Sequence, residues 1–194
     1  GTVMGETHEL GVIRAQDDSG GNAGKAAGLA RQRLRDSALL KAGAGQSFVA
    51  IGGTWRSLAK IHQVLSNYPL QMVQGYTVPA AELAALCRDI VAASDAGKPI
   101  PGGSEISSSR RELMPFAAAV LGEVLRTGDF DNVVFSALGV REGYLYSLLD
   151  AREKAVDPLI QASEELSVLR SRSPAHALDL LAFARGSGEM LRDR

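Results

Sequence analysis

Two junctions concentrate the residues that can do chemistry. The first is AIGGTWRSLA, residues 50–59, where an apolar run ends in Gly52, Gly53 and Thr54 and a helical pattern begins. Glycines let the backbone turn tightly and let a ligand come close. Free N–H groups at a helix start can hold a phosphate. Thr54 adds a hydroxyl or caps the helix, and Arg56 reaches an anion or faces solvent. The plainer reading is an ordinary strand-to-helix turn. The second junction is SALGVREG, residues 136–143, where Gly139 and Gly143 flank Arg141 and Glu142. Ligands of open α/β sheets sit beyond the carboxyl ends of strands, so both junctions can border one cleft. The plainer reading of the second is an ion-paired surface turn.

Other candidates are weaker. GGNAGKA, residues 20–26, is not a nucleotide phosphate loop: the position five before Gly24 is Ser19 rather than Gly, and Ala26 follows Lys25 where Ser or Thr is needed. RSRSPAH, residues 170–176, is a basic run that reads as a solvated interhelix link. Arg110-Arg111-Glu112 offers arginines that can pair with acids across an interface. His8, His62 and His176 are scattered, with no carboxylate spacing that suggests a metal site. Cys87 falls on the apolar side of its helix and reads as a buried structural thiol. Glu105, Glu112 and Asp131 are isolated carboxylates, none marked as a general base.

The elements that must position these residues follow from periodicity. LGVIRA (10–15) predicts a short strand, DDSGGNAG (17–24) a loop, and residues 25–40 a helix with Ala26, Ala30, Leu34 and Ala38 four apart. FVAI (48–51) predicts an interior strand of a parallel sheet, buried on both faces. A helix follows from about Trp55 to Ser66, then a short extended stretch over 72–78, interrupted at Gly75. Pro79 marks the next helix start, and Leu83, Leu86, Cys87 and Ile90 form that helix's apolar stripe. Residues 95–109 read as a surface excursion. Ser109 and Glu112 have capping-box spacing for a helix with Phe116, Val120, Leu121, Val124 and Leu125 on one side. Pro115 predicts a kink or a later start. Val133–Phe135 predicts another buried strand, followed by a helix over 141–149. From Asp157 the chain reads as mostly helical, punctuated at 167–173, restarting at Ser173-Pro174 and ending in a polar, frayed tail.

The chain has 194 residues, 45% of them hydrophobic and only 5% aromatic, with 21 glycines. That suits an Ala- and Leu-rich α/β core and argues against an aromatic-rich β-sandwich. Net charge is −1, from 21 basic and 22 acidic residues. This argues against a nucleic-acid wrapper or an acidic-membrane binder, though a local site can still hold an anion. A single cysteine rules out an internal disulfide and fits a reducing, cytoplasmic setting. No apolar run is long enough to cross a membrane, and the first ten residues lack a signal-peptide pattern. The opening Gly1 suggests a processed or recombinant piece.

Four blocks together resemble the exopolyphosphatase / guanosine pentaphosphate phosphatase (Ppx/GppA) family: FVAIGGTWRSLAKIH, YPLQMVQGYTVPAAEL, SSSRRELMPFAAAVLGEVL and VVFSALGVREGYLYSLLD. LGVIRA resembles the strand that precedes them, and DPLIQASEELSVLRSRSPAHALDLLAF the start of a helical extension. The resemblance spans roughly residues 10–184. It implies a ribonuclease-H-like, actin-like fold in which two lobes enclose a cleft. It also implies magnesium-assisted (Mg2+) hydrolysis of a terminal phosphoanhydride, in polyphosphate or guanosine pentaphosphate. Gly52, Gly53 and Thr54 match the family's second-lobe glycine loop and would bind phosphate. Arg56, Gly139, Arg141, Glu142 and Gly143 would line the cleft.

The family's D-x-G-S-N loop, first-lobe catalytic glutamate and D-x-G-G-G-S loop do not occur here. The expectation is therefore a fragment: residues 1–156 as most of a second actin-like lobe and 157–194 as the start of a C-terminal helical region. No catalytic or metal-binding residue is assigned within it, and the fragment alone is expected to be inactive. Its partners would be the substrate and the absent first lobe, with no membrane or specific nucleic acid; a homodimer stays open. The competing readings are a sugar-kinase-like or chaperone-like nucleotide-switch lobe, and an actin-fold interaction domain that has lost its chemistry.

Overall fold

The computed structural model describes residues 5–170 together with Ser173, Ala175, His176, Asp179, Leu180, Ala182 and Phe183. It divides into two units, Gly1–Val140 and Arg141–Arg194. The first opens with three helices: α1 (Val12–Ser19), α2 (Ala23–Leu34) and α3 (Ala38–Lys41). Strand β1 (Ser47–Ile51) follows, then α4 (Gly53–Leu65), β2 (Tyr76–Pro79), α5 (Ala80–Asp95), α6 (Ser108–Gly128) and β3 (Asn132–Ser136). Helix α7 (Val140–Leu148) leads into the second unit, which also holds α8 (Ala151–Lys154) and α9 (Pro158–Arg170).

The sheet has the order β1-β3-β2, with β1 parallel and β2 antiparallel to β3. In register, Phe48 pairs with Val133 and Ala50 with Phe135, while Tyr76 and Val78 flank the same two residues from β2. This face is covered by α4 and α5, with α6 and α2 packed behind. Phe135, Val133, Leu58, Ile61, Leu83, Ile90 and Leu121 are fully buried in the core. Phe48 joins it through Trp55 (ring centroids 5.6 Å) and Phe130 (5.2 Å), which fixes α4 on β1.

The periodic stripes of α5 and α6 are buried as their spacing predicts: Leu83, Leu86, Cys87 and Ile90, and Phe116, Val120, Leu121, Val124 and Leu125. Helix α6 runs unbroken through Pro115. A proline in a helix interior costs about 3 kcal/mol. The burial of Met114, Phe116, Ala117 and Ala118 around it outweighs that cost.

Several expectations are corrected. LGVIRA is not a strand; Val12–Ser19 is helical, with Ala15 and Ser19 buried one turn apart. Packing overrides the β-branched Val12 and Ile13. The loop before α2 shrinks to Gly20, Gly21 and Asn22, and Asn22 caps α2 by accepting from the Lys25 N–H at 2.7 Å. The single helix over 25–40 breaks after Leu34, where Ser37 caps α3. Ser109 and Glu112 form no capping box, because α6 begins two residues earlier than that box requires, with Ser107 at its N-cap. Pro79 precedes α5 as its N-cap residue, ending β2 rather than occupying the first helical turn. Ser167–Arg170 continues α9 instead of punctuating it. Pro174 and the tail 184–194 lie outside the described residues.

The largest correction concerns β1. It is an edge strand, not an interior one, and it is buried on one face only. Val49 and Ile51 are 52% and 51% exposed. The sequence run FVAI looks doubly buried because Val49 and Ile51 are apolar; the uncovered sheet face is a fact of the tertiary arrangement.

Candidate functional site

Because β1 and β3 are parallel, with Ile51 opposite Ser136, their carboxyl ends finish side by side. Gly52-Gly53-Thr54 leaves one strand and Ala137-Leu138-Gly139 leaves the other. The two junctions singled out in the sequence therefore meet at one edge of the first unit. Arg56 ties them together: its Nη1 donates to the Ala137 carbonyl at 2.8 Å.

Gly52 has φ 135° and ψ 157°, a region open essentially to glycine alone. A Cβ there would meet nothing within 4 Å, so the dihedral and not crowding demands glycine, and the space before the turn is open. Gly53 begins α4 with no side-chain cap. Thr54 is inside the helix and does not cap it. Among the described residues its hydroxyl has no hydrogen-bond partner, and none accepts from the first N–H groups of α4, at Gly53, Thr54 and Trp55. A helix N-terminus carries partial positive charge and unsatisfied donors.

The sequence reading missed Ser57 here, and it named Arg110 only as an arginine able to pair with acids across an interface. Ser57 is buried and donates to the Gly53 carbonyl at 3.2 Å. Arg110, at the start of α6, donates through Nη1 to Ser57 Oγ at 3.3 Å. Neither Arg56 nor Arg110 has a carboxylate partner among the described residues. Arg111 instead donates to the Ile106 carbonyl at 3.2 Å. Gln74 braces the second turn by accepting from the Ala137 N–H at 2.8 Å. The Ser136 hydroxyl closes that turn through Leu138, at 3.0 and 3.1 Å. These contacts span 53 to 81 residues of chain or involve residues with no motif value, so no local pattern announced them. The resulting edge carries two guanidiniums that have no carboxylate partner among the described residues, and three backbone donors, which suits an anion with several oxygens.

Arg141, Glu142 and Gly143 fall in the first turn of α7, in the second unit. The described residues contain no group of three or more His, Cys, Asp or Glu side chains placed to hold a metal ion. No helix among them is long and apolar enough to cross a membrane. His62 is a packed residue: its Nδ1 lies 2.8 Å from the Tyr76 hydroxyl and its Nε2 3.1 Å from Glu82 Oε1. Cys87 is 1% exposed, and burial pushes its pKa up to about 12. A groove of about 570 Å³ between α2, α5 and α6 lies at the opposite end of the strands, lined by Ala81, Asp129 and Phe130 among others.

No family model matches the chain, and no curated protein does. Solved structures do. The type II variant of the Aquifex aeolicus Ppx/GppA phosphatase superposes with a TM-score of 0.53 and 17% identity, over 72% of this chain and 48% of that one. A second structure of the Aquifex aeolicus Ppx/GppA family member gives a TM-score of 0.54 and 16% identity, over 76% and 48%. The chain spans about half the length of the structures it matches. The sequence blocks and the folded chain thus point the same way: over 72–76% of its length this chain has the fold of Ppx/GppA phosphatase structures.

Proposed function

We propose that this chain forms one lobe of a phosphoanhydride hydrolase of the Ppx/GppA kind. In this reading residues 1–156 are most of the second, ribonuclease-H-like lobe of an actin-like pair, and residues 157–194 begin a helical extension. The substrate is inorganic polyphosphate or guanosine pentaphosphate, in the cytoplasm. One observation carries the reading: the two glycine junctions meet at the carboxyl ends of β1 and β3, beside Arg56 and Arg110, in a chain with this fold.

The division of labour follows from the donors present. The N–H groups of Gly53, Thr54 and Trp55 hold phosphoryl oxygens, and the open space at Gly52 lets the chain of phosphates approach the backbone. Arg56 keeps one guanidinium arm on Ala137 and offers its remaining donors to the anion. Gly139, like the residues after it, is assigned to the cleft by the resemblance. Arg141, Glu142 and Gly143 are carried over as cleft-lining residues by the resemblance alone. Magnesium and the water-orienting carboxylate are assigned to the other lobe, as the resemblance to the Ppx/GppA family implies. The chain by itself has negligible turnover.

The test is phosphate release from long-chain polyphosphate and from guanosine pentaphosphate, with and without magnesium. It is run on the chain alone and on the longer polypeptide that contains it. Release by the longer polypeptide only supports the reading, and the faster substrate names the branch. Release by the chain alone removes the claim that its chemistry is incomplete. No release by either removes the hydrolase reading.

A further inference from the structure

Ser57 lies one turn inside α4 and is 0% exposed. Its hydroxyl has two partners, the Gly53 carbonyl at 3.2 Å and Arg110 Nη1 at 3.3 Å. Chemistry fixes the direction of both bonds. A guanidinium carries donors only, so Ser57 Oγ accepts from Arg110 and its own proton goes to the Gly53 carbonyl. The three groups form a one-way chain of hydrogen bonds that runs from the first turn of α6 to the start of α4.

Stability does not call for a serine at this position. Alanine is the better helix former, and a serine bonded to the carbonyl four residues back slightly destabilises a helix. The Gly53 carbonyl alone satisfies the hydroxyl proton. What the serine adds is a buried acceptor for Arg110, which has no carboxylate partner among the described residues. A carboxylate in that place would neutralise the guanidinium. A hydroxyl holds one arm of it and leaves its charge and its other donors unspent.

The chain of bonds also ends at an open donor. The Gly53 carbonyl belongs to the same peptide unit as the Thr54 N–H, which no described residue accepts from. Linked hydrogen bonds polarise one another. A Gly53 carbonyl that accepts from a hydroxyl already bound to a cation therefore makes the Thr54 N–H a stronger donor.

We propose that Ser57 is a positioning residue for the anion edge. It holds the Arg110 guanidinium beside the first turn of α4 with its charge intact, and through the Gly53 carbonyl it strengthens the Thr54 N–H toward a phosphoryl oxygen. The inference rests on the proposed reading of this edge as a phosphate site.

The test titrates inorganic tripolyphosphate into the whole chain, followed by calorimetry and amide chemical shifts, with urea unfolding of each variant alongside. The wild-type chain should bind saturably and shift the amides of Gly53, Thr54 and Trp55. Ser57→Ala should weaken binding at least about threefold, as expected for losing a hydrogen bond to a charged group, while its urea midpoint stays at or above the wild-type value. Arg110→Gln should also weaken binding. In the Arg110→Gln background most of the Ser57→Ala loss should disappear, because the serine acts through the arginine. A merely structural serine would instead lower the urea midpoint and weaken binding by the same factor in both backgrounds. Wild-type affinity in Ser57→Ala overturns the inference and leaves the anion edge standing, as does a loss of the same factor with and without Arg110, or a lowered midpoint. Absence of saturable binding by the folded wild-type chain overturns the anion edge itself, and the inference with it.

Discussion

Arg56 and Ala137 are 81 residues apart in sequence and joined by a 2.8 Å hydrogen bond from guanidinium to carbonyl. That bond ties the turn after β1 to the turn after β3, so the two glycine junctions share one edge. Arg56→Gln removes both the tie and the charge. On the proposed hydrolase reading, in a longer polypeptide containing this chain, it should reduce kcat/KM for polyphosphate by tenfold or more, in the range of losing a charge-assisted contact of about 1.5–3 kcal/mol. Arg110→Gln should give a loss of the same sign. Steady-state kinetics of the two variants measure this, and wild-type values in both would remove these guanidiniums from the site.

Gly52→Ala tests the turn itself. With φ at 135° and ψ at 157°, an alanine is strained even though its Cβ meets no atom. The expected cost is about 1–3 kcal/mol of stability, read by urea unfolding of the chain. An unchanged midpoint would mean that the turn relaxes freely.

Glu123 is nearly buried between two arginines: Arg31 Nη2 lies 2.9 Å from it and Arg126 Nε 2.6 Å. Burial pushes its pKa up, but the hydrogen bonds and charges of Arg31 and Arg126 outweigh this and hold it below the usual carboxylate range. A depressed folded-state pKa stabilises the protein above the unfolded value, about 4.3, and that stability is lost as pH falls through the folded value. Stability should therefore decline below about pH 4.3, and Glu123→Gln should flatten that part of the acid limb. Chemical unfolding at a series of pH values reports it; identical acid limbs would exclude Glu123 as a contributor.

The Tyr76 hydroxyl is the partner of buried His62 Nδ1, at 2.8 Å. Tyr76→Phe leaves that nitrogen unpaired and should cost about 1–3 kcal/mol. Glu82, more than half exposed, should cost far less when changed to alanine because water replaces it. Equal losses from the two substitutions would contradict this asymmetry.

Cys87 should resist thiol reagents at neutral pH. Its pKa near 12 and its burial leave almost no accessible thiolate. Labelling by a chromogenic disulfide should proceed only as the chain unfolds. Prompt labelling of folded protein would show that α5 opens locally.

Much of this protein was legible locally. The stripes of α5 and α6, the short apolar runs of β1 and β3, and the glycine turn at residues 52–53 all follow from repeats of two or four residues and from backbone freedom, which neighbouring side chains set. The tertiary structure decided the rest. It turned LGVIRA into the start of a helix by burying Ala15 and Ser19, and it left β1 on an edge. It brought Arg110 to Ser57 and sent the Asp95 carboxylate to the Ala23 and Gly24 N–H groups, 72 and 71 residues away. The reason is range. Periodicity records which face of an element is apolar, whereas strand order and the meeting of distant polar groups depend on which faces can be buried together once the whole chain packs.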